Sequence, residues 1–432
     1  MTKNLKFIFW DGVFYSLMVG AGENYLIPFA LFLNATSAQV GYLVSVPQLL
    51  GAFFQLFSVF LLSDLRKRKA LMMAGVGIQA LSWGMILWAP EGIPRHALGL
   101  LLASYSLYFI SGNLASPPWN SLVGDIVPDD RRGNFFGSRT RFMSLGTFLS
   151  LCLSGIVLYQ ASKSGRLHEG FILIFTLAAI FRLISFFFLG KMSDPQDEAH
   201  ETLSLPDFFR EIRKSNFIHF ALFSALTFFA VMVAGPFFSV YMLRDLHFSY
   251  LEFMSVNATV VVAQFLTYLM WGNFADRYGN RAVLKITGMT MPVLPILWTI
   301  SPNFYYILCI QMVSGTVWAG FTLSIANYIF DAVPPSQRAR GVAFYSILNG
   351  LGIFLGALLG GELTSRIPSL LAEFGIMVHW KSNILGLFFV SGLLRMIISA
   401  IFLPKLRETR EVEPFSLRKA FSKNLRFFAS GK

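Results

Sequence analysis

Long apolar stretches constrain the fold of this chain more than any other feature. Twelve of them, each of about 20 residues or more, alternate with short polar segments along the 432 residues. A helix of about 20 apolar residues crosses the roughly 30 Å of hydrocarbon in a bilayer and satisfies its own backbone hydrogen bonds there. The sequence therefore predicts an all-α membrane protein with twelve transmembrane helices.

The composition agrees, since 55% hydrophobic and 13% charged residues leave too little polar surface for a soluble globule. The predicted helices lie at 8–33, 38–63, 70–90, 97–124, 139–160 and 169–190, then at 217–243, 249–274, 282–301, 303–331, 341–365 and 384–404. They form two six-helix bundles, 1–190 and 217–404, joined by a cytoplasmic linker with an amphipathic segment at 191–216 and followed by a basic tail at 405–432.

The basic residues predict the orientation. If both termini are cytoplasmic, that side holds 27 of the 35 Lys and Arg, and the opposite loops hold six. Basic residues near helix ends resist translocation, so this bias favours cytoplasmic termini in a plasma (inner) membrane. Topology also accounts for the net charge of +12, so no nucleic-acid partner is expected.

The two halves of the sequence repeat each other at an offset of about 206 to 213 residues. The landmarks are Asp64 and Asp276 after the second helix of each half, Asp125 to Gly133 and Asp331 to Gly341 after the fourth, and Arg182 and Arg395 within the sixth. Such internal symmetry is characteristic of transporters, and it predicts pseudo-symmetric bundles. The matching places of Arg182 and Arg395 favour a shared scaffold role over contact with a solute.

The most specific motif, GNFADRYGNRAVL, follows the eighth predicted helix. Its residues are Gly272, Asp276, Arg277, Gly279 and Arg281. Here the sequence resembles the major facilitator superfamily, whose signature loop has a glycine, an aspartate four residues later, and basic residues around a second glycine. Gly272 is expected to permit close helix approach and Gly279 a tight turn. The resemblance implies a cytoplasmic latch that breaks when the carrier opens inward.

The first-half copy of this motif, FLLSDLRKRKALM, keeps Asp64 and Arg68 but lacks the glycines. Further gating residues are expected where the fourth and fifth helices of each half meet. These are Asp125 and Arg132 in the first half and Asp331 and Arg340 in the second. A carboxylate at a helix C-terminus opposes the helix dipole, so each aspartate is expected to have a basic partner. The alternative is that these loops only set topology.

Glu23 is the one carboxylate that lies well inside a predicted span. Ser16, Gly20 and Glu23 share a helical stripe, which would face a central cavity. A buried carboxylate is costly when charged, so Glu23 could bind and release a proton, as a proton-coupled carrier requires. It could equally neutralise a cationic solute, or serve only to bond a neighbouring helix.

In the family, the first and fourth helices of each half line the cavity. The candidate residues on the fourth helix are Asn113, Trp119 and Asn120, and those on the tenth are Gln311, Ser314 and Trp318. Amides and indoles can hydrogen-bond and stack a solute without a fixed charge. Interhelical bonding and aromatic packing are the alternative for each of them. One carboxylate beside an apolar wall favours an amphipathic or cationic solute.

These features predict a secondary active transporter that moves a small solute by alternating access. No nucleotide-binding loop, metal spacing or catalytic triad is present, so neither an enzyme nor a cofactor or metal is expected. The expected partners are a small-molecule substrate, membrane lipids and protons, with the chain acting as a monomer. The alternatives are a receptor, sensor or assembly factor of the same fold, or a lipid flippase.

Overall fold

The computed structural model describes residues 3–61, 68–92, 96–127, 132–194, 216–333, 338–373, 382–408 and 412–413. Within these ranges the chain forms twelve helical crossings and no strand, which confirms the predicted fold class. The first six are α1 (Lys3–Ala21, a 3-10 turn at Glu23–Tyr25, and Leu26–Phe32), α2 (Ser37–Leu61), α3 (Arg68–Gly92), α4 (Ala97–Ile126), α5 (Arg132–Lys163) and α6 (Leu167–Gly190). The last six are α7 (Asn216–Ala234, Phe237–Val240 and a π turn at Tyr241–Asp245), α8 (Tyr250–Tyr278), α9 (Asn280–Thr290 and Val293–Leu297), α10 (Phe304–Ala332), α11 (Arg338–Glu373) and α12 (Asn383–Phe402, then a 3-10 turn at Leu403–Lys405).

Ten helices in the described ranges are long and apolar enough to cross a membrane. The other two crossings, α1 and α9, are interrupted. Proline is present in both, with Pro28 in α1 and with Pro292, at the interruption, and Pro295 in α9. Pro28 and Pro295 have no N–H for the carbonyl four residues earlier. In α9 that carbonyl belongs to Met291, and the Arg395 side chain of α12 donates to it at 3.4 Å. The breaks are therefore local to the prolines, and the chain still crosses in full.

The helices pack with the symmetry that the repeat predicts. In the N half (α1 to α6), α1 contacts α5 and α6, and α4 contacts α2 and α3. In the C half (α7 to α12), α7 contacts α11 and α12, and α10 contacts α8 and α9. Across the halves, α2 packs on α11 and α5 packs on α8. Each of these pairs in one half thus has its counterpart in the other.

Several helix ends differ from the predicted ones. α5 begins at Arg132, seven residues before the predicted start, and α11 extends to Glu373. Apolar length marks only the part of a helix that lies in hydrocarbon, whereas the helix continues wherever its hydrogen bonds continue. The earlier start places Arg139 two turns inside α5. Most of the predicted linker and tail lies outside the described residues.

The hydrophobic cores show where the two halves meet. We call the side at which Lys3 and Phe402 lie the terminal side. On the opposite side, one continuous core joins both halves, with Tyr25 and Phe171 of the N half near Phe253 and Tyr250 of the C half. Towards the terminal side each half has cores of its own. The described halves are therefore joined on the opposite side.

Candidate functional site

A cavity of about 350 Å³ lies within the N half. It is lined by α1, α3, α4, α5 and α6, from Asn120 near the terminal side to Glu23 deeper in the helix bundle. Its volume is at the small end of the range for ligand pockets. Four charged side chains line it, Asp11, Glu23, Arg139 and Arg182. Charged groups are rare inside membrane proteins, so four in one cavity mark it as the candidate site.

Asp11 is the centre of the polar contacts in this cavity. Its side chain is 3% exposed. Ser185 Oγ donates to Asp11 Oδ1 at 2.8 Å, and Trp119 Nε1 donates to Oδ2 at 3.2 Å. Arg139 Nη2 lies 3.4 Å from the same Oδ2. A buried carboxylate is tolerated when it is paired and hydrogen-bonded, and Asp11 meets both conditions.

Arg139 connects α5 to α1 and α4. Its Nε donates to the Ile8 carbonyl at 3.1 Å, and its guanidinium lies 4.7 Å from the centroid of the Trp119 ring. A planar guanidinium suits this combination of ion pair, carbonyl bond and aromatic stacking. Gly12 lets the side chain approach α1, because a Cβ at that position would lie 2.5 Å from Arg139 Nε. Arg139 is thus engaged on three sides.

Arg182 of α6 is 5% exposed and has fewer partners. Its Nη1 donates to Ser185 Oγ at 2.8 Å, and its guanidinium lies 5.0 Å from the centroid of the Tyr15 ring. The Nε is buried without a hydrogen-bond partner in the described part of the protein. Ser185 therefore connects Arg182 to Asp11 indirectly. Arg182 thus lines the cavity, and the scaffold role that its place in the repeat suggests stays a prediction.

Glu23 lies at the break in α1, where the 3-10 turn begins. Tyr108 Oη of α4 donates to Glu23 Oε2 at 2.8 Å. The predicted common stripe is wrong for its other members. Ser16 and Gly20 pack against α5, where a Cβ on Gly20 would lie 2.5 Å from the Thr147 carbonyl. The stripe assumed an uninterrupted helix, whereas the break turns Glu23 towards α4 and the cavity.

The predicted solute-binding residues fall into two groups. Asn113, Trp119 and Asn120 line the same cavity as Glu23. Gln311, Ser314 and Trp318 lie on α10 in the C half and do not line it. Trp318 packs against Phe228 and Phe321 at ring distances of 6.3 and 5.8 Å. The structure thus brings together four of the seven.

In the first-half loop region, Arg68 joins α3, α4 and the segment after α6. It is buried, donates to Asp125 at the end of α4, and its Nε donates to Asp194 Oδ1 at 2.8 Å. Asp125 therefore has the basic partner that its helix-end position predicts. Asp64 lies outside the described residues.

The backbones of Arg132, Asp331 and Arg340 lie in α5, α10 and α11, at the helix ends where the sequence places them. Their side chains are outside the described part of the protein, so the contacts expected of them stay predictions.

In the second-half loop, the segment after α12 covers the turn between α8 and α9. Glu408 Oε2 accepts from the Arg281 backbone N–H at 2.9 Å, and Arg277 Nε donates to Glu413 Oε2 at 2.9 Å. Asp276 directly precedes Arg277 in this turn. Gly279 has φ 86°, which favours glycine.

Gly272 does not serve close packing in this structure, contrary to the expectation from sequence. A Cβ there would meet no atom within 4 Å. The reason is that this part of α8 lies on the terminal side, where the two halves have separate cores.

Sequence reasoning missed four residues of the site. Arg139 is only the first residue of the predicted fifth helix, Asp11 lies near the predicted start of the first, and neither Tyr15 nor Tyr108 was distinguished from ordinary aromatic packing. A fifth helix that begins at Arg132 sets the Arg139 guanidinium two turns inside it, opposite the Asp11 carboxylate of the adjoining helix. Among the described residues, no group of three His, Cys, Asp or Glu is placed to hold a metal ion.

The family profile described as Major Facilitator Superfamily matches residues 12–234 and again 220–430. The "Probable peptide/nitrate transporter" of Arabidopsis thaliana is 22% identical over 179 residues, which cover 39% of this chain and 37% of that protein. The quinolone resistance protein NorA of Staphylococcus aureus (strain MRSA252) is 25% identical over 173 residues, covering 39% of this chain and 44% of that protein. The matched parts thus span less than half the length of these relatives.

Solved structures resemble the whole of the described fold. A D-xylose-proton symporter superimposes with a TM-score of 0.71 at 12% identity, covering 95% of this chain and 99% of that one. The nucleoside transporter NupG superimposes with a TM-score of 0.66 at 15% identity, covering 94% and 100%. At these identities the likeness concerns the fold.

Proposed function

We propose that this chain, which belongs to the major facilitator superfamily, is a secondary active transporter that moves a small solute across a membrane by alternating access and couples it to protons through Glu23. The family profile matches both halves of the chain. A symporter and a nucleoside transporter share the fold. The observation that carries the proposal is a buried, charged cavity in a molecule whose described halves share one continuous hydrophobic core on the side opposite the terminal side.

In the proposed cycle, the present structure is the state open to the terminal side. The halves pack tightly on the opposite side, where a Cβ on Gly361 of α11 would lie 3.2 Å from the Ala38 Cα of α2. On the terminal side, a Cβ on Gly137 of α5 or Gly272 of α8 would meet no atom within 4 Å. Small residues at an interface allow two helices to separate and repack as units.

The proposed gate lies in the terminal-side loops. Its N-half part is Arg68, which pairs with Asp125 and Asp194. Its C-half part is the turn at Gly279, with Arg277 and Arg281, which the segment after α12 contacts. Asp64, Gly272, Asp276, Arg132, Asp331 and Arg340 complete the set proposed from the sequence. These loops would meet when the terminal side closes. The excess of basic residues supports a cytoplasmic location for this side, with the chain in the plasma (inner) membrane.

Glu23 is the proposed proton-binding group because it lies in the cavity with a single hydrogen bond, from Tyr108, in the described part of the protein. Asp11, by contrast, is fixed by three donors. The solute would contact Asn113, Trp119 and Asn120 from the N half. Gln311, Ser314 and Trp318 of α10 would complete the site when the halves close around the solute.

The test is flux into liposomes that contain the purified chain and a pH-sensitive dye. A panel of small acids, amines and sugars is added outside, and interior pH is followed. We expect at least one solute to move protons in the presence of the protein and not in empty liposomes. Glu23→Gln should abolish that movement, since a glutamine binds no proton. Glu169→Gln is the matched control, because Glu169 is an exposed carboxylate on α6 paired only with Arg166.

Two results would count against the proposal. If no solute in the panel moves, the chain is a receptor or an assembly factor rather than a carrier. If Glu23→Gln moves protons as the unaltered chain does, Glu23 is not the coupling group.

A further inference from the structure

Arg182 has more hydrogen-bond donors than partners. A guanidinium carries five N–H donors and is always charged. The one hydrogen bond of Arg182 in the described part of the protein goes to the neutral hydroxyl of Ser185. No described carboxylate lies within salt-bridge distance of it, and its buried Nε has no acceptor. A buried charge in this condition is costly unless a further anion joins it.

The two comparable arginines are engaged elsewhere. Arg139 is paired with Asp11 and bonded to the Ile8 carbonyl. Arg395, the repeat counterpart of Arg182, reaches the Met291 and Val231 carbonyls at 3.4 and 3.5 Å. Its Nε, like that of Arg182, is buried without a partner in the described part of the protein, but Arg395 does not line the cavity. Met291 is the residue whose carbonyl Pro295 leaves without its helical partner. Arg395 therefore supports a helix break, whereas Arg182 faces a cavity.

The rest of the cavity wall suits a body with apolar surface. Tyr15, Tyr108, Phe109 and Trp119 supply aromatic side chains around the space in front of Arg182. Gln79 also lines the cavity, and its buried side-chain oxygen Oε1 accepts no hydrogen bond in the described part of the protein. Planar oxyanions bind guanidinium in a bidentate manner, and aromatic walls favour a flat body beside them.

We propose that Arg182 is the anion-binding residue of the cavity, so that the transported solutes are small organic carboxylates with an apolar or aromatic body. This rests on the proposed function; of the amphipathic or cationic solute that the sequence favoured, it keeps an amphipathic solute and replaces the cationic one with an anion. That expectation counted one carboxylate in the cavity, whereas the cavity holds two carboxylates and two guanidiniums. A carboxylate that enters while Glu23 carries a proton leaves the cavity balanced in charge.

The test is binding to the purified full chain in detergent, with three probes of one shape and different charge. Benzoate is the anion, benzamide the neutral probe and benzylammonium the cation. Binding is followed as the rise in the unfolding midpoint with probe concentration. We expect benzoate to bind and the other two not to bind. Arg182→Lys keeps the charge and the aliphatic stem but loses the planar fork, and it should weaken benzoate binding about tenfold or more.

Arg395→Lys is the matched control and should leave the affinity for benzoate unchanged. Arg182→Gln is the second variant, and it should remove benzoate binding. The proposal is overturned if benzamide or benzylammonium binds as tightly as benzoate, if none of the three binds, or if Arg182→Lys binds benzoate as the unaltered chain does. The binding assay requires no gradient. A carrier of neutral solutes would therefore move protons in the flux assay but would not bind benzoate here. A receptor for benzoate would bind it here but would not move protons in the flux assay.

Discussion

Asp11 lies where α1, α4, α5 and α6 of the N half meet, and its carboxylate accepts from Trp119, Arg139 and Ser185. We expect Asp11→Asn to lower the free energy of unfolding by about 3 kcal/mol, because it leaves a buried guanidinium without its charge partner. The measurement is the thermal unfolding midpoint of the purified protein.

Glu169→Gln provides the comparison for Asp11→Asn. It removes an exposed ion pair, in which both side chains are about two-thirds exposed, and it should change stability by less than about 1 kcal/mol. Equal midpoints for Asp11→Asn and Glu169→Gln would mean that the pairing of Asp11 does not stabilise the N half.

The residues that line the site were easier to predict from the sequence than the side chains with which they form ion pairs and hydrogen bonds. Glu23 stands out by its depth in the first predicted helix, whereas Asn113, Trp119 and Asn120 follow from the family resemblance, which implies that the fourth helix lines the cavity; all four line one cavity. The ion pair between Asp11 and Arg139 joins residues 128 positions apart. A single sequence carries no signal for such a pair unless both helices, their ends and their mutual rotation are known.

At the scale of elements, the turn between α8 and α9 depends on Gly279. Its φ of 86° and ψ of 158° lie in a region that is almost restricted to glycine. We expect Gly279→Ala to cost about 1 to 3 kcal/mol through backbone strain. Its Cβ would also displace the Glu408 carboxylate, because the two groups would overlap. The measurement is thermal unfolding together with protease cleavage of the segment after α12.

Gly272→Ala is the control in the same motif, since a Cβ at Gly272 meets open space inside a helix. Alanine is favoured over glycine there, so the variant should be as stable as the unaltered chain or more stable. If Gly279→Ala also leaves stability and cleavage unchanged, the turn does not require glycine.

The elements themselves were largely predictable, because apolar length and the positions of basic loops report directly on crossing helices. The breaks in α1 and α9 were not predicted, although Pro28, Pro292 and Pro295 lie in or next to them. A proline in a long helix either kinks or interrupts it, and the outcome depends on which neighbour satisfies the freed carbonyl. In α9 that neighbour is Arg395, which lies 104 residues away in the chain.

For the whole molecule, alternating access predicts that locking one side stops transport. In a chain with Cys152→Ala and Cys309→Ala, the pair Ala38→Cys and Gly361→Cys joins α2 to α11 on the opposite side. We expect oxidation to link this pair readily and to stop flux, because the halves can then no longer separate there. Reduction should restore flux. Mobility on a gel and liposome flux are the two measurements.

The comparison pair is Gly137→Cys and Gly272→Cys, on the terminal side of α5 and α8. It should link slowly, since both positions face open space in this conformation. Normal flux through the linked first pair, or equally fast linking of both pairs, would contradict a mechanism in which the two sides open in turn.

The balance of charges in the cavity has an electrical consequence. When Glu23 is deprotonated, the formal charges of Asp11 and Glu23 offset those of Arg139 and Arg182, so the cavity without solute carries no net formal charge. One elementary charge crossing the full membrane voltage changes the free energy by about 2.3 kcal/mol per 100 mV. If the carrier returns without solute and with a neutral cavity, the membrane voltage therefore does not change the free energy of that step. If one proton accompanies one monovalent anion, the step with solute bound moves no net charge either. At equal solute concentrations, the pH difference then sets the direction of net movement.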